Sequence, residues 1–205
     1  MGRTKKVEYK ELRERILTAA KNMVRCQGSA ALSIRKMAAE IGCAVGTIYN
    51  VFSNIDEIIL TINSATLTKL QARLLADACS EDDALTAWVR LSHSYVAFCR
   101  EEYHLWSLLI EHRLAPDNTL PAWYQQQVDE LFLLVSRMAE PLTGGDKKKA
   151  ERAARVLWAG LQGICSLAVS GKLDVVHAEP ADVLAESLAR NYAQGLILES
   201  TSPLQ

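Results

Sequence analysis

Residues 32–55 read LSIRKMAAEIGCAVGTIYNVFSNI. Two short apolar rhythms meet here at a glycine. Ile34, Met37, Ala38 and Ile41 precede Gly42, and Ile48, Tyr49 and Phe52 follow it. Steps of three and four residues place each set on one helical face. Ser33 can cap the first helix, and Gly42 tolerates the left-handed turn between the two. Two short helices about a glycine-centred turn are the layout of a helix-turn-helix, in which the second helix lies in the DNA major groove and the first crosses the backbone. From Ile41 to Ile55 there is no charged side chain, so a recognition helix built here reads bases with uncharged groups.

Working outward, Tyr9, Leu12, Ile16, Ala20 and Met23 predict an amphipathic helix that Gly28 ends. On the other side, Asn54 and Glu57 stand at N-cap and N3 spacing, and Asp56 and Glu57 suit the positive end of a long fourth helix. Ser80 and Asp83 repeat that spacing before a fifth helix carrying Leu85, Trp88, Ser92, Tyr95, Val96 and Cys99. A sixth is expected over 103–113, then a loop over 115–118. Pro121 opens a seventh with Tyr124, Val128, Leu131, Val135 and Met138, which Pro141 and Gly144-Gly145 stop. Asp146 opens a helix running to Gly171, and Pro180 one running to about Glu199. No stretch reads as a strand. The expected fold is all-α, with about nine helices: a three-helix helix-turn-helix domain over 1–54 and a larger helical domain over 55–205.

Hydrophobic residues make up 49% and charged residues 23% of the chain, the composition of a globular protein. The net charge of −1 conceals an asymmetry. Residues 1–55 hold ten Lys and Arg against four Glu, whereas 56–205 hold thirteen against twenty acidic residues. A basic first quarter suits a polyanion, although a solvated basic face has the same signature. The polar start MGRTKKVEYKELRER does not read as a secretory signal. The longest late uncharged run, 156–171, is too short and polar for a good membrane span. Five cysteines at 26, 43, 79, 99 and 165 form no CxxC pair and read as free thiols, mostly small core residues, in a reducing cytoplasm. No cofactor motif is present.

The string from Leu32 through Ile59, preceded by a helix of matching length, resembles the N-terminal signature of the TetR family of bacterial regulators. In that family a Thr/Ser-x-Arg-x-x-Ala stretch leads through Gly to a Gly-Thr-hydrophobic-Tyr-x-x-Phe segment, and an acidic, apolar helix start follows. The resemblance covers about residues 8–62 at motif level; 157–173 also looks like the eighth helix of one subgroup. Three departures stand out. Ala44 replaces a capping Ser or Thr, Asn50 and Val51 replace an aromatic or basic residue and His, and Ile55 replaces a phosphate-reaching Lys. The resemblance implies a homodimer reading a palindromic operator on double-stranded DNA, most simply as a repressor.

Residue chemistry assigns roles within that frame. Ile48 and Phe52 face a small core with Ile16, Met37 and Ile41, leaving Val45, Gly46, Thr47, Tyr49 and Asn50 on the other side. Gly46 permits close backbone approach, and Thr47 and Tyr49 can reach phosphates. Asn50 can pair with adenine, and Val45 can touch a thymine methyl. Arg3, Lys5, Lys6, Arg35 and Lys36 supply attraction, with the helix start near Ser33 aimed at phosphate. Ser53 and Asn54 complete the candidate DNA-contacting set.

The last two helices mix large apolar with small residues, a pattern of close helix packing either within a subunit or against a second one. Leu157, Trp158, Leu161, Ile164, Leu184, Leu188, Tyr192 and Leu196 are the candidate dimer contacts. The resemblance further implies an effector cavity in the C-terminal helices. Trp88, Ser92, Tyr95, Trp106, Leu109, Trp123, Phe132, Gln162 and Cys165 are its candidate lining and favour an apolar or aromatic effector, although plain core is the commoner fate of any one of them. Two rival readings remain. One is a DNA-binding protein of this fold with no ligand or with a role outside transcription. The other is a helical-bundle metal enzyme, for which Glu101-x-x-His104 and Asp174-x-x-His177 offer partial ligand spacing. Ser/His/Asp sets, phosphate-binding glycine loops and His-x-x-x-His zinc patterns are absent, so the chain is not expected to be an enzyme.

Overall fold

The computed structural model describes residues 2–77, 83–116 and 118–201, and side chains from residue 8 onward. Among these, all regular structure is helical: α1 (Gly2–Gln27), α2 (Ile34–Ile41), α3 (Val45–Tyr49), α4 (Ile55–Asp77), α5 (Ala84–Glu101), α6 (Tyr103–Glu111), α7 (Ala122–Ala139), α8 (Lys147–Val169), α9 (Lys172–Val175) and α10 (Ala181–Thr201). Single 3-10 turns at Ser29–Ala31 and Glu140–Thr143 join α1 to α2 and α7 to α8. The tenth helix, beyond the nine expected, is the four-residue α9.

The chain forms two compact units that are not simple chain segments. The first takes residues 1–68 and 102–124, and the second 69–101 and 125–205. Helix α4 contributes its first part to one and its last turns to the other.

In the first unit one apolar cluster gathers Ile16, Ala20, Met23 and Val24 of α1 with Met37 and Ala38 of α2 and Ile48 of α3. Val51, Phe52, and Ile58, Ile59 and Ile62 of α4 complete its N-terminal part. Ile41 packs on it half-buried. Leu105 and Leu108 of α6 join the same cluster, a contribution that no local pattern around residue 105 announces. An Arg25–Glu102 ion pair at 3.2 Å ties the end of α1 to the start of α6.

The start of α4 is a hub within this unit. The buried Asp56 accepts Asn118 Nδ2 at 2.6 Å and the Ala115 N–H at 3.3 Å. His112 Nε2 lies 3.2 Å from its other oxygen, an ion-pair distance without hydrogen-bond alignment. The connection after α6 is thereby fastened to the first turn of α4.

In the second unit, α10 packs on α5 and α8. Ala150, Ala153 and Ala154 of α8 and Ala185, Ala189 and Ala193 of α10 are fully buried, so the small residues serve close packing inside one subunit. A Cβ at Gly160 would stand 2.5 Å from Leu188 Cδ2, so α10 approaches α8 closely there. Asp146 caps α8 by accepting the Lys149 N–H at 3.0 Å. The cap expected from Ser80 lies outside the described residues, and α5 starts later than that spacing implied. Asp83 itself is the N-cap, accepting the Thr86 N–H and hydroxyl at 2.9 Å each. Those bonds hold the Asp83 carboxyl below the usual range.

Candidate nucleic-acid interface

Gly42 ends α2 in the left-handed region (φ 70°, ψ 41°), where a side chain would be strained. The Cys43 N–H then returns to the Ala38 carbonyl at 2.9 Å, closing the turn. Ser33 makes no side-chain cap on α2, although its backbone is extended as in most N-caps; its carbonyl accepts the Met37 N–H at 2.9 Å. Ala44, with no polar side-chain group, starts α3 without a side-chain cap either. The apolar rhythm that runs on to Phe52 outlasts helix α3, which ends at Tyr49; Val51 and Phe52, just past it, are buried in the core.

The outward face of this unit matches the expected division. Ile48 is wholly buried, while Tyr49 is 52% and Val45 38% exposed. Gly46 and Asn50 are exposed, and Thr47 is half-buried. The Tyr49 ring is therefore not part of the core. Arg35 and Lys36 are exposed on α2. The side chains of Arg3, Lys5 and Lys6 lie outside the described residues.

Ser53 and Asn54 have structural duties. Asn54 Oδ1 accepts the Glu57 N–H at 2.9 Å, and the Glu57 carboxylate accepts the N–H and hydroxyl of Ser53 at 2.8 Å each. This reciprocal cap fixes where α4 begins immediately after the recognition segment.

Three contacts from α1 went unforeseen. The Tyr9 hydroxyl donates to the Val51 carbonyl at 3.2 Å, and Arg15 Nη2 donates to the Ile41 carbonyl at 2.5 Å. The Arg13 guanidinium sits 4.9 Å from the Phe52 ring centroid. Their partners lie 42, 26 and about forty residues along the chain, beyond the reach of any spacing rule.

The candidate effector residues divide between the units. In the first, Trp106 is buried, Leu109 half-buried and Trp123 49% exposed. Trp123 lines a cleft of about 480 Å³ with Arg13, Asn54, Asp56, Thr61 and Asn118. In the second, Trp88 is wholly buried and its carbonyl accepts the Ser92 hydroxyl at 3.1 Å. Next along that α5–α8 seam the Tyr95 hydroxyl donates to Gln162 Oε1 at 2.8 Å. One turn further, the Cys165 thiol is pushed up by its hydrogen bond with Cys99 and then by burial. Phe132 is elsewhere, packed edge-to-face on Trp158 with centroids 5.6 Å apart.

The candidate dimer contacts need correction. Leu157, Leu161 and Leu196 are buried within the single chain and cannot face a partner. Trp158, 40% exposed, leans on Phe132. Ile164, Leu184, Leu188 and Tyr192 are half-buried. Residues left outward include Val156, Ala159, Gly163 and Leu167 on α8, at one-face spacing, and Val183, Ser187, Gln194 and Ile197 on α10.

Of the metal-enzyme spacing, Glu101 is bound by Arg73 at 2.6 Å, and that bond holds its carboxyl low. Asp174 and His177 are exposed. Among the described residues no group of three or more metal-ligating side chains gathers, and no helix is long and apolar enough to cross a membrane. Cys99 and Cys165 are buried free thiols and Cys43 is half-buried, but Cys26 is exposed. Cys79 lies outside the described residues.

Residues 16–62 match the family model for bacterial regulatory proteins of the tetR family, and residues 88–192 match that for the tetracyclin repressor-like C-terminal domain. No curated protein matches the chain. Among solved structures, a protein with unknown function from Rhodococcus sp. RHA1 is 23% identical with a TM-score of 0.72, over 90% of this chain and 94% of that one. TetR from Acinetobacter baumannii AYE, in complex with minocycline, is 15% identical with a TM-score of 0.64, over 91% and 97%. The TetR family transcriptional regulator PfmR from Thermus thermophilus is 20% identical with a TM-score of 0.57, over 92% and 100%. The two family matches lie on the helix-turn-helix and on the helices that follow it, and the chain belongs to the TetR family of bacterial regulatory proteins.

Proposed function

We propose that this regulator is a cytoplasmic homodimeric repressor that reads a palindromic operator and is released by a small apolar or aromatic effector. The observation that carries the reading is the outward face of α3. Val45, Gly46, Thr47, Tyr49 and Asn50 project from a helix whose opposite side is locked in the core by Ile48. Arg35 and Lys36 on α2 supply sequence-independent attraction to phosphates, and the uncharged helix supplies the choice of bases. The division of roles is 1–54 for DNA reading and 55–205 for effector binding and dimerisation. Two copies meet through the outward stripes of α8 and α10, where small and apolar side chains lie open. The effector class rests on the aromatic and thiol content of the α5–α8 seam and on the minocycline bound by a relative of the same fold. Ligand and DNA then oppose each other's binding by the same factor.

Selection of bound sequences from a random DNA pool tests this reading. A palindrome with half-sites about one helical turn apart, roughly 34–36 Å, is the expected product. Recovery of no preferred sequence, or of a single unpaired half-site, overturns it.

A further inference from the structure

We infer that Tyr9 and Arg15 are positioning residues for DNA recognition: α1 holds the exits of both helix-turn-helix elements and so sets the attitude of α3. This rests on the chain reading DNA through α3.

Helix α3 has little of its own to hold it. It is five residues long, begins at Ala44 without a side-chain cap, and buries a single side chain, Ile48. Helix termini leave carbonyls without intrahelical partners, and here α1 answers them. The apolar stripe of α1 runs through Ile16 and Ala20 into the core. At one hundred degrees per residue, Tyr9 continues that stripe, with Arg13 to one side of Ile16 and Arg15 to the other. From the stripe's N-terminal end the Tyr9 hydroxyl reaches the Val51 carbonyl just past α3, and Arg13 covers the Phe52 ring next to it. From its own side, Arg15 takes the last carbonyl of α2, that of Ile41, through a charge-assisted bond. The turn and α3 are thereby held at both ends, before at Ile41 and after at Val51, by one helix.

Exposure separates positioning from folding. Tyr9 is 49% exposed and Arg15 is exposed, so neither supplies much buried area to the core. Removing the Tyr9 hydroxyl frees the segment after α3 while leaving the ring and the apolar cluster intact. Specific binding needs side chains placed on base edges. Non-specific binding needs only charge. Loss of the grip therefore falls on the first and spares the second.

The test uses full-length Tyr9→Phe and Arg15→Lys with the selected operator and with unrelated duplex of equal length. Tyr9→Phe is expected to weaken operator binding about two- to tenfold, the range for one net hydrogen bond. Affinity for unrelated duplex, the salt slope and the thermal midpoint are expected to stay unchanged. Arg15→Lys, which keeps the charge but loses the fork geometry, shifts the operator affinity in the same direction. Equal loss on both duplexes makes Tyr9 a direct phosphate contact and overturns the inference. So does an unchanged operator affinity, or a loss that tracks a falling thermal midpoint. Wild-type protein that prefers no sequence at all defeats the reading of α3 instead, a distinct outcome.

Discussion

The carboxylate of Glu57 accepts both the backbone N–H and the hydroxyl of Ser53, each at 2.8 Å. With the Asn54 side chain on the Glu57 N–H, three bonds close the first turn of α4 directly after the recognition segment. Asn54→Ala is expected to lower stability by about 1 kcal/mol, the usual worth of an N-cap. Denaturant unfolding measures it, and an unchanged midpoint would show that the cap carries no weight.

Arg35 and Asn50 separate affinity from selectivity. Arg35→Ala is expected to weaken binding to every duplex and reduce the log–log salt slope by about 1, as one phosphate contact is lost. Asn50→Ala leaves that slope alone and relaxes the preference at one or two base positions. Salt-series titration and selected-site profiles of the two variants check this pairing; an Asn50 variant with an unaltered profile removes it from base readout.

Gly163 tests assembly. A Cβ there meets nothing within 4 Å in its own chain, whereas one at Gly160 collides with Leu188. Gly163→Leu should therefore fold, yet yield monomer if the α8 stripe is the subunit interface. Sedimentation of the variant beside wild type decides it: a dimer that survives Gly163→Leu places the interface elsewhere.

Tyr124 gives the alkaline limit a specific contributor. Burial raises its phenol from 10.0 to about 12, with a hydrogen bond from Asn63 pulling the other way. A raised folded value means stability that is complete below the ordinary pKa and is lost as pH rises through about 12. Tyr124→Phe is expected to shift the alkaline unfolding midpoint upward, read by circular dichroism. A midpoint that does not move leaves the alkaline transition to other groups.

Much of the DNA-binding unit is local chemistry and was legible as such. The glycine at 42, the apolar steps of α2 and α3 and the Asn54–Glu57 cap are each decided by residues within four positions of one another. Ser33 shows the limit of that legibility: a serine at capping spacing is a permission, and its side chain makes no cap hydrogen bond although its backbone is extended as in most N-caps. Leu157 and Leu161 fail as dimer contacts for a different reason. Apolar residues on a wide helical arc are identical in sequence whether they face a neighbour helix or a second copy, and burial of Leu157 and Leu161 shows which.

By itself, the order of residues determined the all-helical class, the helix-turn-helix and the uncharged outward face of its second helix, because helical periodicity and turn chemistry act over a few residues. Only the tertiary structure decided that Tyr9 and Arg15 grip the exits of that motif, that α6 completes its core, and that Asp56 fastens the connection behind it. Those partners stand tens of residues apart, and no periodicity encodes which carbonyl a distant side chain will meet once the helices have packed.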